Sequence, residues 1–163
     1  MTNEAKLKRA LMLELKKQIR HPRPVIFRHE DRYTHGMPDI SLTLRNGTSW
    51  WEAKHAIGYL DRGKKIQEQM MRDLSANGGR AFYIIWRTGT DGSERTYVVH
   101  PNDLNEWTEK YLVMFVGFDF ESLATFMKEV HSDGYVKRLL PGCAREQDAS
   151  GCSEARSSQA GSR

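Results

Sequence analysis

Residues 36–54 read GMPDISLTLRNGTSWWEAK. Ile40, Leu42 and Leu44 alternate with Ser41 and Thr43, the period of two that gives a strand one buried face. Asn46-Gly47 is the preferred pair for a two-residue type I′ hairpin turn, so Trp50 to Lys54 is the returning strand. That turn would set Arg45 opposite Thr48 and, counting outward, Ser41 opposite Glu52 and Asp39 opposite Lys54. Asp39, Ser41, Thr43, Trp50, Glu52 and Lys54 then share one face. Facing Cβ atoms lie about 5 Å apart and diagonal ones about 7 to 8 Å, so Asp39 and Glu52 can reach one cation between them. Hard oxygen donors of this kind suit Mg²⁺ or Mn²⁺ rather than zinc.

On the N-terminal side, Leu7, Leu11 and Leu15 recur at helical spacing with Ala10 beside them, and Thr2 or Asn3 can cap the first turn. Asn3 to about Ile19 is therefore expected as an amphipathic helix, ended by His21-Pro22-Arg23-Pro24. Val25-Ile26-Phe27 is expected as a short buried strand, with a polar turn-rich segment from Arg28 to Met37 after it. On the C-terminal side, Lys64 to Ala76 returns to helical spacing through Ile66, Met70 or Met71, and Leu74, and Asn77-Gly78-Gly79 ends it. Ala81 to Trp86 is nearly all apolar, as a central strand covered on both faces should be. Strand, helix, strand in that order implies a right-handed crossover and parallel pairing. Thr88 to Glu94 is a Gly-rich turn, Thr96 to His100 a further strand, and Glu121 to His131 a closing helix. No internal repeat is visible.

The chain has 163 residues, 39% hydrophobic and 28% charged, which fits one globular domain and excludes a solenoid or a multidomain assembly. Its apolar stretches, such as Leu112 to Val116, are far short of the roughly 20 residues of a membrane span. Nine basic residues against four acidic ones fall in the first 32 positions, so the net charge is +5 there and −1 over the rest. A basic region of this kind attracts nucleic acid, although many helices carry such charge only for solubility. Cys143 and Cys152 stand in a polar tail without zinc-ligand spacing. The N-terminus has no apolar h-region, so a reducing cytoplasmic setting is the default. The expected division is a folded domain over 1–140 and a flexible polar tail over 141–163, where five Ser and three Gly stand with no Leu, Ile, Val, Phe, Tyr or Trp.

Gly36-Met37-Pro38-Asp39-Ile40, then Glu52-Ala53-Lys54 beyond the hairpin, resembles the motif of the PD-(D/E)xK nuclease superfamily. The order of elements from Asn3 to Trp86 is similar to that superfamily's restriction-endonuclease-like αβββαβ core, an α/β fold with a mixed central sheet flanked by helices. Within it the pattern looks most like the VRR-NUC (virus-type replication-repair nuclease) type, with Glu4 on the first helix, Gln67 on the next and Gly78-Gly79 after it. The resemblance implies a metal site of Asp39, Glu52 and the backbone carbonyl of Ala53, loaded with Mg²⁺ or Mn²⁺. It further implies that Lys54 orients the attacking water or stabilises the pentavalent phosphate, and that Glu4 and Gln67 complete the catalytic set. The implied partner is DNA, cut structure-selectively at a junction, flap or branch in replication, recombination or repair, in a phage or prophage setting. Related junction resolvases act as dimers, and a homodimer is in keeping with that.

Each residue has a plainer role beside the functional one. Asp39 after Pro38 is also a normal turn residue, Glu52 and Lys54 also suit a solvated hairpin face, and Glu4 also suits a helix's first turn. Glu14 is the rival of Glu4 on the same helical stripe, and Gln69 is the alternate of Gln67. His35 before the Gly-x-Pro-Asp turn stands within reach of a phosphate, though lone loop histidines are usually incidental. Lys64 and Lys65 read as a solvated helix start that can also touch a nucleic-acid backbone. Trp50 is expected to pack in the core or at the rim, beneath the first helix. A catalytically silent nucleic-acid-binding module and a metal-free α/β interaction domain are the two competing readings.

Overall fold

The computed structural model describes residues 3–20, 23–29 and 36–132. Thr2, His21-Pro22, His35, both cysteines and the 141–163 tail lie outside the described residues. The chain runs α1 (Asn3–Gln18), β1 (Val25–Arg28), β2 (Ile40–Leu44), β3 (Gly47–Ile57), β4 (Tyr59–Leu60) and α2 (Lys65–Ala76). It continues through β5 (Arg80–Thr88), β6 (Glu94–Val99), a 3₁₀ turn over Pro101–Glu106, β7 (Val113–Val116) and α3 (Phe120–Glu129). The strands form one mixed sheet in the order β1-β2-β3-β5-β6-β7, with β4 folding back on β3. β3 and β5 pair in parallel across the α2 crossover, and the other neighbours are antiparallel. Among the described residues no helix is long and apolar enough to cross a membrane.

The sheet separates two cores because side chains alternate along each strand. On one face Leu11, Leu15 and Ile19 after α1 pack with Ile40, Leu42, Trp51, Phe82, Ile84 and the apolar stripe of α3. On the other face Met71 of α2 packs with Ala56, Ala81, Tyr83 and Ile85, and the 3₁₀ turn adds Leu104. Glu52 and Lys54 belong to this second face by parity.

Four expectations change. The hairpin closes at Leu44↔Gly47 and not at Arg45↔Thr48. A type I′ turn at Asn46-Gly47 needs positive φ at both residues, yet among the described residues only glycines have it, and Gly47 alone carries it here (φ 113). Arg45-Asn46 therefore forms the turn and Gly47 begins the strand, a geometry in which one glycine provides the twist that two central residues would otherwise share. The register moves by two residues, which keeps every paired side chain on its expected face and sets Ser41 opposite Trp50; Asp39, just before β2, then stands beside Glu52, to which its N–H donates, and not opposite Lys54. Second, β1 is an edge strand and not a buried one, with Val25 48% and Phe27 59% exposed. Third, Trp50 lies on the α2 face, stacked on His29 (5.9 Å between ring centres), and not beneath α1. Fourth, in α2 it is Met71 that is buried, while Ile66 and Met70 are exposed. The structure also adds an edge strand, β7, within the apolar Leu112–Val116 stretch.

Candidate functional site

β2 ends opposite Trp51 and β4 begins opposite Ile57, so residues 52–55 of β3 have no strand on one edge. Backbone groups left this way need other partners. The Ala53 N–H donates to Asp39 Oδ2 (3.0 Å) and the His55 N–H donates to Glu4 Oε1 (3.1 Å). The Asp39 N–H in turn donates to Glu52 Oε2 (3.2 Å). A residue in a strand sends its N–H and C=O to the same edge, so the Ala53 carbonyl leaves β3 on the side where Asp39 stands. The gap in the sheet edge thus gathers Glu4 from α1, Asp39 before β2, and Glu52 and Ala53 of β3.

Two lysines complete the cluster. Lys8 Nζ sits 2.6 Å from Asp39 Oδ1, and Lys54 Nζ sits 2.8 Å from Glu52 Oε1. Lys54 also donates to Gln67 Oε1 (3.1 Å), which ties the site to the first turn of α2. The connection into α2 passes so close that a Cβ on Gly63 would lie 2.8 Å from Lys54 Nζ, and Gly63 has φ 75, so that position takes glycine. Glu52 is 2% exposed. Burial pushes its carboxyl up to about 7, the neighbouring Asp39 adds to the rise, and Lys54 opposes it. The Tyr83 hydroxyl, on the adjacent residue of β5, is buried without a hydrogen-bond partner among the described residues, and burial and Glu52 both raise its pKa.

Glu4, Asp39, Glu52, Ala53, Lys54 and Gln67 therefore meet at one place. Glu14 does not join them: it bonds Gln18 (3.1 Å) and Lys17 (3.4 Å) further along α1. Gln69 instead bonds Asp73 on the outer side of α2. Lys8 and Tyr83 were not legible as site residues. Lys8 stands one helical turn after Glu4, and that i, i+4 spacing was the available signal. Tyr83 had none, since its strand reads as uniformly apolar.

Among the described residues no group of three or more His, Cys, Asp or Glu side chains is arranged to hold a metal ion. The donors on offer are two carboxylates and a main-chain carbonyl. These are hard oxygen ligands, and a buried carboxylate beside a part-buried one favours an added positive charge, so the set fits Mg²⁺ or Mn²⁺ and not a soft metal. No protein-family model, curated protein or solved structure matches the chain. What is established is an α/β protein whose mixed sheet is flanked by helices, with a part-buried charged cluster at an interrupted strand edge.

Proposed function

We propose that the chain is a metal-dependent deoxyribonuclease of the PD-(D/E)xK kind, with a restriction-endonuclease-like core. The observation that carries this reading is the pair of hydrogen bonds, Ala53 N–H to Asp39 Oδ2 and Asp39 N–H to Glu52 Oε2, by which Asp39 and Glu52 adjoin at the open edge of β3. Asp39, Glu52 and the Ala53 carbonyl would hold Mg²⁺ or Mn²⁺. When bound, that ion supplies charge neutralisation for the phosphate and a more acidic water.

The protein's own groups do the rest. Asp39 is anchored by the Ala53 N–H, so one of its oxygens is fixed while the other, now on Lys8, is free to exchange partners. Lys54 is positioned from two sides, by Glu52 and Gln67, with its ammonium at the carboxylate pair. There it orients an attacking water or offsets charge on the phosphoryl oxygens during in-line displacement. Glu4 is held against β3 by the His55 N–H and places a third carboxylate at the rim. We take the substrate to be DNA of branched, flapped or junction form.

One observation favours a second reading. Two ammonium groups already neutralise two carboxylates, which is how a purely structural ion-pair cluster is built, and a silent nucleic-acid-binding module would look the same. The experiment that separates them is cleavage of branched, flapped, duplex and single-stranded DNA with Mg²⁺, Mn²⁺ or EDTA, comparing wild type with Asp39→Ala and Lys54→Ala. Metal-dependent cutting lost in both variants is expected. No cutting by wild type, or unchanged cutting by Asp39→Ala, would refute the nuclease reading.

A further inference from the structure

We propose that the cleft where the last turn of α1 meets the start of β1, lined by Lys16, Arg20 and Arg23, is a phosphate site that anchors the DNA backbone away from the cutting centre. The inference rests on the reading of the chain as a DNA-cutting protein and extends it to how the substrate is held.

The cleft encloses about 430 Å³, enough for one sugar-phosphate unit, and its floor is Ile19, Pro24 and Ile26. Among the described residues no acidic side chain lines it. Among the described residues none of the three cations makes an ion pair, whereas Lys17 of the same turn has Glu14 at 3.4 Å. Among the described residues Arg20 spends only its Nε, on the Lys17 carbonyl. Cations near a helix C-terminus are expected from the helix dipole, but that effect fades beyond the last turn. It accounts for Lys16 and leaves Arg23 without a reason. Three like charges gathered over an apolar floor repel one another unless an anion joins them. A guanidinium pair matches the two free oxygens of a phosphodiester, and the apolar floor matches a deoxyribose.

Position supports a shared substrate. Lys16 and Arg20, four residues apart, stand together at the C-terminal end of α1, and the rise from Lys8 at the charged cluster to Gln18 at the helix end is about 15 Å at 1.5 Å per residue. That is about four base-pair steps of duplex at 3.4 Å each. An anionic membrane is the other partner a basic helix can find, but the apolar stripe such binding needs is spent here in the core, as Leu7, Leu11, Leu15 and Ile19 are all buried.

The test is fluorescence anisotropy of a labelled duplex oligonucleotide in EDTA, over a series of KCl concentrations, with the full chain. Arg20→Gln/Arg23→Gln should bind about tenfold more weakly, with the slope of log K against log salt smaller by about 1 to 2. Arg20→Lys/Arg23→Lys should recover most of the affinity, which separates lost charge from a lost fold. Lys110→Gln, which removes a cation already paired with Glu106, should change neither quantity. Binding by the double Gln variant within twofold of wild type, or an equal loss in Lys110→Gln, overturns the anchor. So does attachment to phosphatidylserine vesicles that needs Arg20 and Arg23 while DNA binding does not. Absent cleavage with Arg20- and Arg23-dependent binding refutes the nuclease reading and keeps the anchor; intact cleavage with indifferent binding does the reverse. No DNA binding at all removes both.

Discussion

Lys8 is the residue whose role in the cluster is most open to measurement. Its ammonium and the Asp39 carboxylate are 16% and 14% exposed and 2.6 Å apart. A cation approaching Asp39 must displace that ammonium or share the carboxylate with it. Lys8→Met should therefore tighten Mn²⁺ binding three- to tenfold, about 1 kcal/mol, as read by calorimetry. Weaker binding would mean that Lys8 serves chiefly to hold Asp39 in place. Lys8 also marks where sequence reading stops. Glu4, Asp39, Glu52, Lys54 and Gln67 can be picked out by type and spacing, but Lys8 is one of nine N-terminal cations and its i, i+4 spacing from Glu4 is a mark that ordinary helix-surface pairs also carry. Only the packing of α1 against the sheet sets it apart from Lys6 and Arg9, both of which are exposed.

At the scale of elements, the hairpin and the crossover were legible and their register was not. Alternation from Ile40 to Leu44 and the apolar run from Ala81 to Trp86 fixed the faces, because a period of two leaves little choice once one face is apolar. Asn46-Gly47 can serve at either of two positions in the turn, and the choice depends on how the loop is tied down. Asn46 Nδ2 donates to the His131 carbonyl (3.1 Å) and Arg80 donates to the Asn46 carbonyl, contacts made with residues far along the chain. β1 was misjudged for a related reason: an apolar triplet does not reveal whether a second strand covers its far side. The connection into α2 offers a direct test. Gly63→Ala forces a left-handed backbone on alanine and drives its Cβ toward Lys54, so stability should fall by about 1–2 kcal/mol and cleavage by more than tenfold. Gly78→Ala, at a similar φ of 76 but with open space around it, should show the stability loss alone in urea melts. Equal activity losses in the two variants would mean that the Lys54 position does not matter.

The whole molecule is closed by a polar network on the face opposite the charged cluster. His131, 4% exposed, shares a hydrogen bond with Ser49 Oγ (2.8 Å), which also receives the Trp51 indole N–H (2.7 Å). This ties the end of α3 to the hairpin that carries Glu52. Burial pushes the His131 imidazole down from 6.5 to about 4, and Arg80 adds to the depression. The folded state thus takes up the proton less readily than the unfolded one. Its stabilisation is complete above pH 6.5 and is withdrawn as pH falls toward 4. The cost of His131→Asn in urea melts should be smaller at pH 4.5 than at pH 7, by roughly 1–2 kcal/mol. A cost independent of pH would show that the imidazole stays neutral throughout or was never buried.

Fold and cluster depend on each other at this scale. The sheet edge stays open at residues 52–55 only because β2 stops and β4 starts where they do, and the orphaned N–H groups there draw in Asp39 and Glu4. The proposed nuclease chemistry requires this gap to hold a divalent metal ion. Titration calorimetry of the intact chain with Mn²⁺, beside Asp39→Ala, tests it most directly. One binding event in the wild type, absent in Asp39→Ala, is the expected result; no heat of binding in the wild type, or the same heat in both proteins, would contradict it.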